Sequence, residues 1–191
     1  MAQDAKQDFQ YLLDASARYR QRAKPLPAQR AVETWWPALM LQIGDCPLIC
    51  RQSYINEVMS MPKYAVLPSA NRWVLGVANL RGELLPLVDV AAFLGLPVTP
   101  SHNRRVLVCH HNEQWLGLVV DAVFGMQRLK DEQLDNDPAC PTQALRAFAE
   151  QSAIVRRRRH WLLDIDRLVS DEQFTEVGRQ PEAPAPLQKQ G

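Results

Sequence analysis

Three consecutive residues, Cys109, His110 and His111, come nearest to a chemically reactive group in this chain. A thiol beside two imidazoles could bind a metal ion, or act as a nucleophile with its base. Adjacent residues on a β-strand point to opposite faces, however, so the three side chains cannot converge on one ion while the strand stays paired. The pattern favours a solvent-exposed polar turn over residues 110–114 and leaves a metalloenzyme as the third of three hypotheses.

The remaining cysteines give a weaker signal. Cys46 and Cys50 lie four residues apart on a predicted strand, so both point to the same face. Without a second Cys/His pair at zinc spacing, this pattern predicts buried, reduced thiols rather than a metal site or a disulfide. We find no phosphate-binding glycine loop and no Ser–His–Asp order. The sequence therefore predicts a protein that is not an enzyme and uses no cofactor.

Four consecutive arginines, residues 156–159, raise the second hypothesis, a small-barrel protein that binds nucleic acid. A single basic turn is weak support for this, because the formal net charge of the 191-residue chain is only +1. The pattern predicts a solvated hairpin tip. No apolar run approaches the ~20 residues that span a bilayer, and the N-terminus lacks the apolar segment of a secretory signal. We expect a cytosolic protein.

The elements are organised around a central hairpin. Two apolar runs, 74–80 and 84–90, flank Arg81, Gly82 and Glu83, and Gly82 can adopt the positive φ of a tight turn. Asp89 is a predicted N-cap for a short helix that ends at Gly95. Such a hairpin fits the core of any all-β domain, so the local pattern alone does not define a function.

Three domains are predicted. Residues 1–33 hold an amphipathic helix (7–22) and a linker, residues 34–174 a β-rich domain, and residues 175–191 a polar, disordered tail. Segments 87–93 and 162–168 share the order apolar, apolar, Asp, apolar, and each follows a strand pair. The fold class is therefore mainly β, with two similar small β-barrels, each closed by a short capped helix.

The string Gly-Val-Ala-Asn-Leu-Arg-Gly-Glu-Leu-Leu-Pro-Leu-Val-Asp at 76–89 resembles the signature of the CheW family of chemotaxis coupling proteins. The N-terminal helix, the Leu-Pro-Ala-Gln linker and the string Val-Asp-Ala-Val-Phe-Gly-Met are most similar to the twitching-motility (PilI-type) subgroup. The resemblance implies two β-barrel subdomains around a shared core. It also implies a non-enzymatic adaptor between the cytoplasmic tip of a methyl-accepting chemoreceptor and the regulatory domain of a CheA-type histidine kinase. The alternative is an adaptor of a flagellar or other chemosensory system.

The resemblance also implies candidate residues on the receptor side, namely Ile55, Glu57, Gly76, Asn79, Arg81 and Gly82. Arg81 would offer a fixed fork of donors to a carboxylate or carbonyl, Glu57 would pair with a receptor cation, and Ile55 would supply an apolar contact. Structural explanations stay open: the glycines for backbone geometry, Asn79 for the hairpin backbone, and a mutual salt bridge for Arg81 and Glu57. No nucleic acid and no inserted membrane segment are implied; contact with receptor arrays would be through protein.

Overall fold

The architecture is described by a computed structural model for residues 34–68, 70–98, 101–136, 140 and 142–175. The strands are β1 (Trp35–Ile43), β2 (Cys46–Arg51), β3 (Glu57–Ser60), β4 (Tyr64–Ala65), β5 (Val74–Leu80), β6 (Glu83–Asp89), β7 (Arg105–His111), β8 (Gln114–Val120), β9 (Ala122–Lys130), β10 (Gln151–Val155) and β11 (Arg158–Leu162). The helices are α1 (Val90–Phe93), α2 (Gln143–Arg146), α3 (Ile165–Val169) and α4 (Glu172–Thr175), with 3-10 turns at Gln52–Tyr54 and Asp131–Gln133.

The strands form two sheets with matching plans. Sheet A has the order β10-β11-β2-β1-β9, and sheet B has the order β3-β7-β8-β6-β5-β4. In each sheet two antiparallel hairpins are joined by one parallel pair, β11 with β2 in sheet A and β6 with β8 in sheet B. The outer strands are exchanged: β3 follows β2 but pairs in sheet B, whereas β9 follows β8 but pairs in sheet A. The predicted duplication is confirmed.

Both faces of the central strands are buried, which explains their nearly continuous apolar runs. On β1, Leu39 and Leu41 enter a core shared by the two sheets, whereas Met40 enters a smaller cluster enclosed by sheet A. On β7, Leu107 joins the shared core and Val108 joins a cluster enclosed by sheet B. One interior per barrel and one common core therefore hold the domain together.

Both predicted capped helices are present. The Asp89 carboxylate accepts a hydrogen bond from the Ala92 amide at 3.1 Å, and the Asp164 carboxylate accepts one from the Arg167 amide at 3.0 Å. Each aspartate satisfies an amide that the short helix itself leaves without a partner. Each helix follows the second strand of a hairpin, at equivalent places in the two sheets.

Three details differ from the sequence-based expectation. The polar turn predicted at 110–114 is too long: β7 ends at His111 and β8 begins at Gln114, so the turn contains only Asn112 and Glu113. The apolar residues of segment 53–59 also predict that Tyr54 and Val58 face the core, but they are 41% and 40% exposed. The change to a strand pattern predicts a first strand from Leu39, whereas β1 begins at Trp35. The helix predicted at 7–22 and the tail from 176 onward lie outside the described residues.

Candidate functional site

The tip of the β5–β6 hairpin is a two-residue turn in which both residues have positive φ, 54° at Arg81 and 96° at Gly82. A turn with two positive φ angles matches the twist of the flanking strands. Such turns favour Gly, Asn and Asp, because the Cβ of other residues is crowded at positive φ. The Asn79 side-chain oxygen accepts a hydrogen bond from the Gly82 amide at 3.0 Å. Asn79 and Gly82 thus have a structural task at the tip, and Arg81 is held outward.

Arg81 reaches across to the first residue of β3. Its Nη2 atom lies 2.7 Å from the Glu57 Oε2 atom, with 77% of the Arg81 side chain and 36% of the Glu57 side chain exposed. A pair this exposed adds at most about 1 kcal/mol to stability. Because only Nη2 is used, the other guanidinium N–H groups still face solvent and are able to bind a second acceptor. Glu57 therefore fixes the direction of a guanidinium whose remaining donors are available.

Two apolar residues close to Glu57 in the sequence, Ile55 and Val58, do not extend the Arg81 surface. The Ile55 side chain is only 4% exposed and belongs to the shared core, so little of it is available for the expected apolar contact. Val58, on the outer strand β3, is 40% exposed. It directly follows Glu57 on that strand, so its side chain points to the opposite face.

Gly76 has a steric role. Its φ is +146°, and an added Cβ would lie 2.1 Å from the backbone oxygen of Ala65 on the paired strand β4. The backbones of β4 and β5 approach each other here more closely than any side chain allows. Of the candidate residues, the structure brings Glu57, Asn79, Arg81 and Gly82 together at the tip, and it places Gly76 further along β5.

A buried ionic cluster, not foreseen from the sequence, lies at the other end of this hairpin. The Arg104 Nη2 atom contacts the Asp89 carboxylate at 2.5 Å, and its Nε atom lies 3.7 Å from the Asp121 carboxylate. The second Asp121 oxygen accepts a hydrogen bond from the Gly44 amide at 2.6 Å. The cluster therefore links the end of β6, the start of β9 and the β1–β2 turn.

The histidine and cysteine side chains do not converge. Cys109 is buried, His110 packs edge-on against Trp115 with ring centroids 4.8 Å apart, and His111 Nδ1 lies 3.7 Å from the Asp166 carboxylate. Among the described residues, no group of three or more Cys, His, Asp or Glu side chains is placed to hold a metal ion. The trio is thus distributed over both faces of β7, as its spacing predicted.

All four cysteines are buried and free. Burial raises the pKa of the Cys50 and Cys109 thiols to about 12, and for Cys50 the neighbouring Cys109 adds to the effect. The pKa of Cys46 is also raised, by burial first and then by Cys140 and Asp45. Since the thiolate is the reactive form, these thiols are poor nucleophiles in the folded protein.

We expect Cys50 and Cys109 to resist a disulfide reagent at pH 8 in a Cys46→Ala/Cys140→Ala variant, and to react at once in guanidinium. Folding raises these two pKa values, so the stability that the protonated thiols contribute is complete below about pH 8.5 and falls as pH rises toward 12. Thiol release followed by absorbance checks the first part and urea unfolding across that pH range the second. Fast labelling without denaturant would contradict the expectation.

Two matched sheets around a common core, with short helices after the paired strands, define a paired-barrel domain. A family model described as "CheW-like domain" matches residues 37–173. The chain belongs to the CheW-like family.

Individual relatives agree with this. The chain is 35% identical to the protein PilI of Pseudomonas aeruginosa over 161 residues, which cover 84% of this chain and 89% of that protein. It is 28% identical to a probable chemotaxis protein CheW of Rhizobium etli over 134 residues, 70% of this chain and 86% of the relative. The crystal structure of the scaffolding protein TtCheW from Thermoanaerobacter tengcongensis superposes with a TM-score of 0.64 at 19% identity, covering 73% of this chain and 95% of that one.

Across the part of the chain that the structure describes, no helix has the length and apolar character needed to cross a bilayer.

Proposed function

We propose that the chain is a non-enzymatic adaptor that couples a methyl-accepting chemoreceptor to a CheA-type histidine kinase. The observation that carries the proposal is the match of residues 37–173 to the CheW-like domain. The 35% identity to PilI favours the chemosensory system that controls type IV pilus twitching motility. The alternative is a flagellar or other chemosensory system. It is supported by the 28% identity to a probable chemotaxis protein CheW, which is lower than the identity to PilI. The adaptor would act in the cytoplasm, attached to receptor arrays through protein contacts.

Coupling by such an adaptor needs two docking surfaces on one rigid body. Holding receptor and kinase together raises the effective concentration of each near the other. If one conformational state of the receptor binds the adaptor more tightly than the other state does, a change of receptor state shifts the equilibrium between the conformations of the whole assembly. The shared core between the two sheets supports this mechanism, because it joins the barrels through packed side chains rather than through a linker.

On the receptor side, we assign the contact to Arg81, with Glu57 as its positioning residue. The free donors of Arg81 would bind a carboxylate or a backbone carbonyl on the receptor hairpin. Gly76, Asn79 and Gly82 would serve the site through the backbone that they shape. Ile55 would act by supporting the turn that leads into β3.

We expect Arg81→Glu to abolish most receptor control of the kinase while lowering the free energy of unfolding by no more than about 1 kcal/mol, because the Arg81–Glu57 pair is exposed. Receptor-dependent kinase autophosphorylation in a reconstituted complex, with urea unfolding in parallel, measures both effects. Unchanged control by a folded Arg81→Glu protein would contradict the site assignment.

A charge-swapped double variant, Glu57→Arg/Arg81→Glu, separates a partner contact from a merely internal salt bridge. It restores the pair with reversed polarity at the same two positions. If Arg81 meets an acceptor on the receptor, the double variant stays defective, since a carboxylate now faces that acceptor. Full recovery of receptor control would assign the pair a structural role only. Co-purification with the kinase and the receptor from the same cell tests the adaptor function itself.

A further inference from the structure

The hairpin between β10 and β11 turns through two arginines in a conformation that arginine rarely adopts. The φ values are 49° at Arg156 and 66° at Arg157, both in the left-handed region. Two-residue turns of this kind favour Asn followed by Gly, because the Cβ of other residues is crowded there. The turn therefore carries arginine at a steric cost, and strained residues of this sort cluster at functional sites.

The charges of this turn are not used within the described fold. Arg156, Arg157 and Arg158 are exposed, and none forms an ion pair with any residue that the structure describes. Arg159, the fourth of the run, is fixed instead: its Nη1 atom lies 2.7 Å from the Ser152 hydroxyl and 3.6 Å from the Asp135 carboxylate. The hairpin thus presents a set of open guanidinium groups on an anchored base.

An exposed apolar side chain lies near two of these charges. Ile154 is 56% exposed on β10, two residues before Arg156, and it pairs with Arg159 in the register of the hairpin. Arg158 pairs with the buried Val155, so its side chain lies on the opposite face of the hairpin. An exposed isoleucine contributes nothing to keeping the charged turn hydrated. Exposed arginine next to exposed isoleucine is the composition of a protein-binding surface more than of a phosphate-binding one.

We propose that this basic tip, defined as Arg156, Arg157 and Ile154, binds an acidic protein segment that carries an apolar residue. The planar forks of the arginines match carboxylates in paired geometry, and Ile154 would contact the apolar residue. The three exposed arginines of this hairpin, in a chain of net charge +1, make too small an electrostatic footprint for a nucleic acid or an anionic membrane. The proposal is independent of the Arg81 surface, which lies on a hairpin of sheet B.

The test uses a short fluorescein-labelled peptide rich in Asp and Glu with one central Leu, titrated with the full chain and followed by fluorescence anisotropy. The test variant is Arg156→Asn/Arg157→Gly. It removes two charges while giving the turn its preferred residues, so folding is retained or improved. The matched control is Arg72→Gln/Arg128→Gln, which removes two exposed charges elsewhere. Arg72 precedes a strand of sheet B, and Arg128 pairs with Pro37 at the opposite end of sheet A.

We expect the peptide to bind more weakly as salt is raised, with an affinity about tenfold lower for Arg156→Asn/Arg157→Gly and nearly unchanged for the control. Ile154→Ser should weaken binding without changing its salt dependence. A folded tip variant that binds the peptide as well as the natural chain would overturn the proposal, as would equal losses in the control. Tighter, tip-dependent binding to a single-stranded oligonucleotide or to phosphatidylglycerol vesicles would overturn it by identifying a different partner.

Discussion

Replacing Arg104 with Met is expected to lower the free energy of unfolding by about 3–5 kcal/mol, because a buried carboxylate is then left without its cation. The Asp89 side chain is only 2% exposed, and those of Arg104 and Asp121 are 12% and 11% exposed. Methionine preserves much of the apolar stem of arginine, so the loss would come from the charge. Urea unfolding followed by tryptophan fluorescence measures it.

A second substitution isolates the cause. Asp89→Asn in the Arg104→Met background removes the unpaired charge and retains an oxygen that can accept from the Ala92 amide. It should restore at least half of the lost stability. Arg72→Met, at an exposed position, should cost no more than about 0.5 kcal/mol. If Asp89→Asn lowers the free energy of unfolding of Arg104→Met further, the unpaired charge is not the cause of the loss. The cluster would then stabilise the domain through its hydrogen bonds and packing.

Gly76→Ala is expected to cost about 3 kcal/mol, since the new methyl group would meet the backbone oxygen of Ala65 at 2.1 Å. The oxygen belongs to the backbone of β4, so β4 must move away from β5. The expected result is a lower unfolding midpoint and faster amide hydrogen exchange along β4 and β5.

Gly82→Ala is the matched control within the same hairpin. Its φ is also positive, but a Cβ there would meet no atom within 4 Å. Only the backbone preference is lost, which costs about 1 kcal/mol. Equal losses in the two variants would mean that the conformation of Gly76, and not its contact with Ala65, decides its identity.

Local signals in the sequence predicted much of the fold. The Asp89 and Asp164 caps and the turn at Gly82 follow from chemistry within a few residues. The matching pattern around the two aspartates indicated the duplication. The predicted width of the turn at 110–114 was wrong, because β7 and β8 extend to His111 and Gln114. Cross-strand pairs such as His110 with Trp115 keep these polar residues in the sheet.

The candidate site was harder to predict. Identities at the tip came from the resemblance, but the burial of Ile55 and the exposure of Val58 depend on which strand lies at the edge of sheet B. Arg104 was not recognised because its partners, Asp89 and Asp121, are brought together by long-range pairing of β6 with β8. A single sequence carries no direct sign of such pairing.

The exchange of outer strands also constrains how the protein is made. Strands β1 and β2 leave the ribosome early, yet their neighbours β9 and β11 are synthesised after most of the remaining domain. Until then the nascent chain presents apolar ladders with open hydrogen-bonding groups, the kind of surface that chaperones engage. Neither half of the domain completes a sheet by itself, so maturation waits for the last strand, and translation sets the earliest moment at which both sheets can be complete.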